Sequence, residues 1–93
     1  MVTAVVLINV SRSKLQEVVQ ALLGIEGVSE VYTVAGEYDL VAMVRVASNQ
    51  ALSKIVCDTL PHQVSGITHT KTLFALEAKS RHDLAKLFGT PNI

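Results

Sequence analysis

Four consecutive residues, Gly36-Glu37-Tyr38-Asp39, combine types that could hold a small zwitterion. Gly36 lets the backbone turn with φ > 0 and approach a ligand closely. The N–H groups around it can meet a carboxylate, and Asp39 can receive an ammonium group. Tyr38 can wall the pocket or offer its hydroxyl. The same residues also suit an ordinary hairpin turn with an acidic tip. A second candidate is Thr68, Thr70 and Thr72, spaced two apart so that their hydroxyls line one face of a strand. That row could bind a polar ligand, or it could reflect the preference of edge strands for threonine.

Other reactive residue types do not form constellations. His62, His69 and His82 have no cysteine or carboxylate at metal-ligand spacing, and neither H-x-x-x-H nor C-x-x-C occurs. Cys57 is the only cysteine and falls in a helical stretch with no base beside it, so it reads as a small core or interface residue. Glu37 with Asp39, and Asp58 with His62, do not make a recognisable acid–base pair. No glycine-rich phosphate loop is present. No catalytic residue, metal ligand or cofactor is expected.

These residues must be carried by a small domain. The chain has 93 residues, of which 49% are hydrophobic and 4% aromatic, with no tryptophan. The core must therefore be built from Val, Leu, Ile and Ala. A single domain of this size buries only about 60–65% of its unfolded surface, so this much aliphatic side chain hints at cover from another subunit. Eight basic residues balance eight acidic ones. DNA-binding domains that rely on phosphate contacts are usually basic, so direct DNA binding is not expected. One cysteine excludes an internal disulfide and fits a reducing compartment. The apolar opening, residues 1–8, lacks a basic flank and is too short for a signal or a membrane span. A soluble, cytoplasmic protein that keeps its whole chain is expected.

Periodicity supplies the elements. Residues 3–10 are β-branched and continuously apolar, which is how a central strand reads. Ser11 and Ser13 offer N-caps, with Ser13 the better placed. Leu15, Val18, Val19, Leu22 and Leu23 then form one helical stripe. Gly24 is expected to end that helix in the left-handed conformation. Residues 28–35 read as an edge strand, with Glu30, Tyr32 and Val34 on one face. Residues 38–47 read as a second central strand. Ser48-Asn49 begins a second helix with Leu52, Ile55, Val56 and Leu60 inward, ended by Pro61. Residues 67–78 form the last strand, with the threonines opposite His69, Lys71 and Leu73. A short helix over 83–88 is an alternative to an ordered tail.

Strand, helix, strand, strand, helix, strand is two split β-α-β units. The halves echo each other, Leu7-Ile8-Asn9-Val10 against Met43-Val44-Arg45-Val46, and Gly27-Val28 against Gly66-Ile67. This predicts an α+β, ferredoxin-like βαββαβ sandwich over residues 1–80, with an antiparallel sheet in the order 4-1-3-2 and a tail over 81–93. Both helices cover one face. The other face of the two central strands is apolar and bare, which predicts a dimer with two sheets packed face to face, a dimeric α/β-barrel type of association.

Three short segments carry a family resemblance. Val31-Tyr32-Thr33-Val34-Ala35-Gly36-Glu37-Tyr38-Asp39-Leu40 resembles the signature turn of the Lrp/AsnC family, the leucine-responsive or feast/famine regulators. Glu26-Gly27-Val28 and Ile67-Thr68-His69-Thr70-Lys71-Thr72-Leu73 resemble that family's lead-ins to its second and last strands. The likeness runs over about residues 3–78 and is to the C-terminal effector (RAM) domain, without the helix-turn-helix half. It implies a stand-alone, non-enzymatic effector-sensing module. Its partners would be a second copy, then rings of octamer or decamer size, an amino-acid effector, and a full-length regulator sharing the domain. Neither DNA nor a membrane is implied. It implies effector contacts at Gly36, Tyr38 and Asp39, with Thr70 and Thr72 beside them. Two other classes stay open: a small dimeric ferredoxin-like oxygenase or isomerase, and a domain that only assembles.

Overall fold

The computed structural model describes residues 1–79 and residue 81. The helix considered over 83–88 lies outside them. The elements are β1 (Val2–Val10), α1 (Leu15–Leu23), β2 (Val28–Thr33), β3 (Leu40–Val46), α2 (Asn49–Lys54), a π-helical segment (Ile55–Thr59), α3 (Leu60–Gln63) and β4 (Ile67–Phe74). The strands form one antiparallel sheet in the order β2-β3-β1-β4. This is the expected 4-1-3-2 order, with the two most apolar strands in the middle. No helix of the described residues is long and apolar enough to cross a membrane.

Alternation decides what each central strand buries. Ala4, Val6 and Ile8 of β1 and Leu40, Ala42 and Val44 of β3 point to the helices and are 0–1% exposed. Val18 and Leu22 of α1 meet them, with Leu52, Ile55, Leu60 and Val64 from the second helical rod. Each such large side chain contributes about 1.5–3 kcal/mol relative to exposure. Val5 and Leu7, and Val41 and Met43, point the other way and are only half-buried.

Several local expectations change. Ser13 does not cap α1; a 3-10 turn, Arg12–Lys14, precedes it, and the Lys14 N–H donates to the Ser11 carbonyl at 2.8 Å. Gly24 stays right-handed at φ −84°, and the left-handed residue is Gly27 at φ +103°. Gly27 is required there because a Cβ would lie 2.7 Å from Val46 Cγ1. Pro61 does not end the second helix. The rod widens into a π turn at Ile55–Thr59 and Pro61 falls at the start of α3. A wider turn relieves the clash between the proline ring and the preceding carbonyls. Ser48 does cap α2, its Oγ accepting the Ala51 N–H at 3.1 Å. The strands are shorter than expected at the ends of β2 and β4 and at the start of β3. Cys57 is exposed on the π segment, not in the core.

Candidate functional site

Residues 34–39 link β2 to β3. The Val34 N–H donates to the Asp39 carbonyl at 2.9 Å, which closes the turn. Gly36 lies at its exposed tip with φ +141°, and no atom lies within 4 Å of where a Cβ would be. The positive φ expected for Gly36 is therefore present, and the space around it is open.

Asp39 ties this turn to the neighbouring central strand. Its N–H donates to the Ile8 carbonyl at 3.0 Å, and its Oδ2 accepts the Val10 N–H at 2.9 Å. The carboxylate thus extends the β1–β3 ladder beyond Leu40, satisfying a backbone donor that β3 no longer reaches. Among the described residues its second oxygen makes no hydrogen bond. Tyr38 stacks on His69 of β4, with ring centroids 6.4 Å apart and planes 21° from parallel. The turn is thus anchored twice, on β1 through Asp39 and on β4 through Tyr38.

The threonines divide differently. Thr70 and Thr72 pair with Ile8 and Val6, so they face the helix side of β4. Thr70 lines a groove with Leu60, Pro61 and Val64, whereas Thr72 lines another with Cys57, Phe74 and Leu76. Thr68 falls where the β1–β4 register shifts. Thr70 is level with the start of β3, and Thr72 is one step further away. The Gly36 turn lies outside both grooves. Asp58 and His62 do come together, with His62 Nδ1 3.3 Å from Asp58 Oδ1, but both are well exposed on the helical rod.

The sheet face without helices carries a second cluster, which the sequence reading did not single out. Arg45 donates to Ser29 Oγ at 2.6 Å and to Glu30 Oε1 at 2.9 Å, and the Tyr32 hydroxyl donates to Glu30 Oε2. The Tyr32 hydroxyl, then the Arg45 guanidinium, hold the Glu30 carboxyl below the usual carboxylate range. Glu30 in turn pushes the Tyr32 phenol up. The available signal was parity: Glu30 and Tyr32 share a face of β2, and Arg45 is the one charge in an apolar strand. The partnership of His69 with Tyr38 had no such local signal.

The fold is thus a ferredoxin-like sandwich with an exposed Gly-x-Tyr-Asp turn pinned to its central strand. Residues 3–84 match the family model described as the Lrp/AsnC ligand binding domain. The chain belongs to that family. It is 38% identical over 58 residues to an uncharacterized HTH-type transcriptional regulator of Pyrococcus horikoshii. That match takes in 62% of this chain and 38% of the relative's length. Among solved structures, TTHA0845 from Thermus thermophilus superposes with a TM-score of 0.80 at 37% identity, covering 87% of this chain and 100% of that one. The Neisseria meningitidis transcriptional regulator NMB0573, solved as a complex with L-Met, shares the fold at a TM-score of 0.71 and 18% identity. That match covers 92% of this chain and 58% of that one.

Proposed function

We propose that this chain is a non-enzymatic effector-sensing domain that binds a small amino acid, or a related zwitterion, at a junction between subunits. The observation that carries this reading is the Gly36–Asp39 turn. It is rigidly anchored on its inner side and open on its outer side. A zwitterion needs donors for its carboxylate and an acceptor for its ammonium. The backbone around Gly36 offers the first and the second oxygen of Asp39 the second, with Tyr38 as a wall. Within one chain this forms a half-site, because open space faces Gly36; a neighbouring subunit would supply the other half. The NMB0573 complex supports an amino acid as the class of ligand.

Assembly begins, in this reading, at the sheet face without helices. Val5, Leu7, Val41 and Met43 form its apolar centre, flanked by Leu73 at 45% exposure and Tyr32 at 49%. A second copy packed face to face covers this patch, and dimers then meet at their rims near the turns. A ligand shifts such an assembly by its difference in affinity for the two states.

Calorimetry across the common amino acids, paired with light scattering, tests the proposal. Saturable binding by at least one amino acid, with a change in assembly mass, is expected. Tyr38→Ala should weaken that binding without unfolding the domain. No heat and no mass change with any amino acid would refute the sensing role.

A further inference from the structure

The open sheet face is charged in a pattern that fits a second copy of itself in only one of the two aligned orientations. Register fixes the pattern. Across β2, β3, β1 and β4, one row reads Tyr32, Val41, Leu7, Lys71 and the next reads Glu30, Met43, Val5, Leu73. The centre of both rows is apolar. The β2 end holds the Glu30 carboxylate with its bound Tyr32 hydroxyl, and the β4 end holds the Lys71 ammonium. Lys71 makes no ion pair among the described residues, whereas Lys14, Arg45 and Lys79 do. Within one chain Lys71 and Tyr32 are separated by three strand spacings, roughly 14 Å, beyond contact.

We infer that Lys71 of one copy docks on the Tyr32–Glu30 pair of the other, so that Glu30, Tyr32 and Lys71 set the orientation of the face-to-face dimer and select its partner. This rests on the dimer proposed above. Two sheets packed with nearly aligned strands can be related by a two-fold axis running along the strands or across them. An axis across the strands lays β4 on β4. The two Lys71 ammonium groups then approach each other over Leu73, and nothing acidic from the β2 edge reaches them. An axis along the strands lays β4 of each copy over β2 of the other. Each Lys71 then lies in the row of the opposing Tyr32 and one row, two residues along the strand, from Glu30, within reach of a lysine stem.

Charge balance favours the same choice. Covering the face removes water from Lys71, and an unpaired ammonium there would be costly. Glu30 already receives Arg45 and Tyr32 on separate oxygens, and a carboxylate accepts further donors on its remaining lone pairs. Asp39, at the end of the turn just before β3, already has one oxygen committed to Val10. The contact also discriminates. A related domain lacking an acid at position 30 or a base at 71 would leave a buried charge unpaired, which disfavours mixed dimers.

A double-mutant cycle on dimer dissociation tests this in the full chain. Lys71→Met keeps the apolar stem and removes the charge. Glu30→Gln keeps the hydrogen-bonding shape and removes the charge. Each single change should raise the dimer dissociation constant by about ten-fold, and the double change should raise it by no more than the larger single one. Non-additivity between residues that lie on opposite edges of one chain can only come through the other copy. Lys71→Glu should be monomeric at concentrations where the parent is dimeric, with an unchanged circular dichroism spectrum. Independent, multiplying effects of the two changes would overturn the inference while leaving the dimer standing. So would a dimeric Lys71→Glu chain. A parent chain that stays monomeric at high micromolar concentration would instead refute the dimer itself.

Discussion

The two faces of one sheet contrast sharply. The same strands supply both, one residue apart. Ala4, Val6, Ile8, Leu40, Ala42 and Val44 meet helices and are at most 1% exposed. Their immediate neighbours Val5, Leu7, Val41 and Met43 are equally apolar yet half-open to solvent. The first face is completed by the chain's own α1 and second helical rod. The second carries its polar groups at its corners, Glu30, Tyr32 and Arg45 at one and Lys71 and His69 at the other. Apolar character alone therefore does not distinguish a core from an interface; what distinguishes them is whether the chain returns to cover the surface.

The strongest way to break this contrast is truncation on either side. Ile8→Ala should lower unfolding free energy by about 2–5 kcal/mol, the range for deleting a buried large aliphatic side chain. Leu7→Ala, its neighbour on the open face, should cost the monomer far less and act mainly on association. Denaturant unfolding and light scattering on both variants separate the two effects. Equal losses of monomer stability would erase the distinction between faces.

Two glycines sharpen it next. Gly27→Ala introduces a side chain at positive φ against Val46 and Ile55, where a Cβ would lie 2.7 and 3.1 Å from their nearest atoms. A loss of about 1–3 kcal/mol is expected. Gly36→Ala carries the backbone strain without any clash, so its loss should be smaller, about 1 kcal/mol, and its larger effect should be on ligand binding.

Asp39 offers a finer test. Asp39→Ala removes the acceptor of the Val10 N–H and should cost about 1 kcal/mol. Asp39→Asn retains a carbonyl oxygen for that bond and should restore most of the stability, while weakening any zwitterion that needs the charge. An Asn variant that binds as well as the parent would assign Asp39 to anchoring the turn alone.

The smallest effect concerns pH. Glu30 is shifted below its ordinary value, so its contribution to stability is present above the unfolded carboxylate pKa, about 4.3. It is lost as pH falls through the lower folded value. Glu30→Gln should therefore lower stability slightly at neutral pH, and the difference from the parent should vanish as the pH falls through the acid limb. Chemical denaturation between neutral and acid pH measures it. Because this group keeps partial exposure, with 29% of its side chain open to solvent, the difference should be slight in the monomer and larger in the dimer.

Much of this was legible in the chain. Continuous apolar runs at residues 3–10 and 38–47 marked central strands. The 3.6-residue stripes placed both helices, and the echo of the two halves gave the topology. The polar alternation of Glu30 and Tyr32 was visible as an edge pattern. The misread details depended on packing and on local helix geometry that periodicity does not report. Gly24 was a reasonable left-handed stop until the approach of Val46 and Ile55 made Gly27 the residue that must lack a side chain. Pro61 was a reasonable helix end until a π turn absorbed it. Cys57 stands exposed on that same turn, which removes the core alternative of its reading.

The candidate site divides in the same way. Residue types alone marked Gly36 to Asp39 as a turn able to approach a ligand, because glycine and short acidic side chains have that capacity wherever they occur. Composition and periodicity alone required an aliphatic sheet with one uncovered face. Only the folded chain decided that Asp39 spends one oxygen on Val10, 29 residues earlier, that Tyr38 stacks on His69, and that Arg45 closes on Glu30. Periodicity is a property of neighbours along the chain and survives in the sequence. Which carboxylate meets which donor depends on strand register, and register is fixed only when the alternating faces choose between helix and solvent.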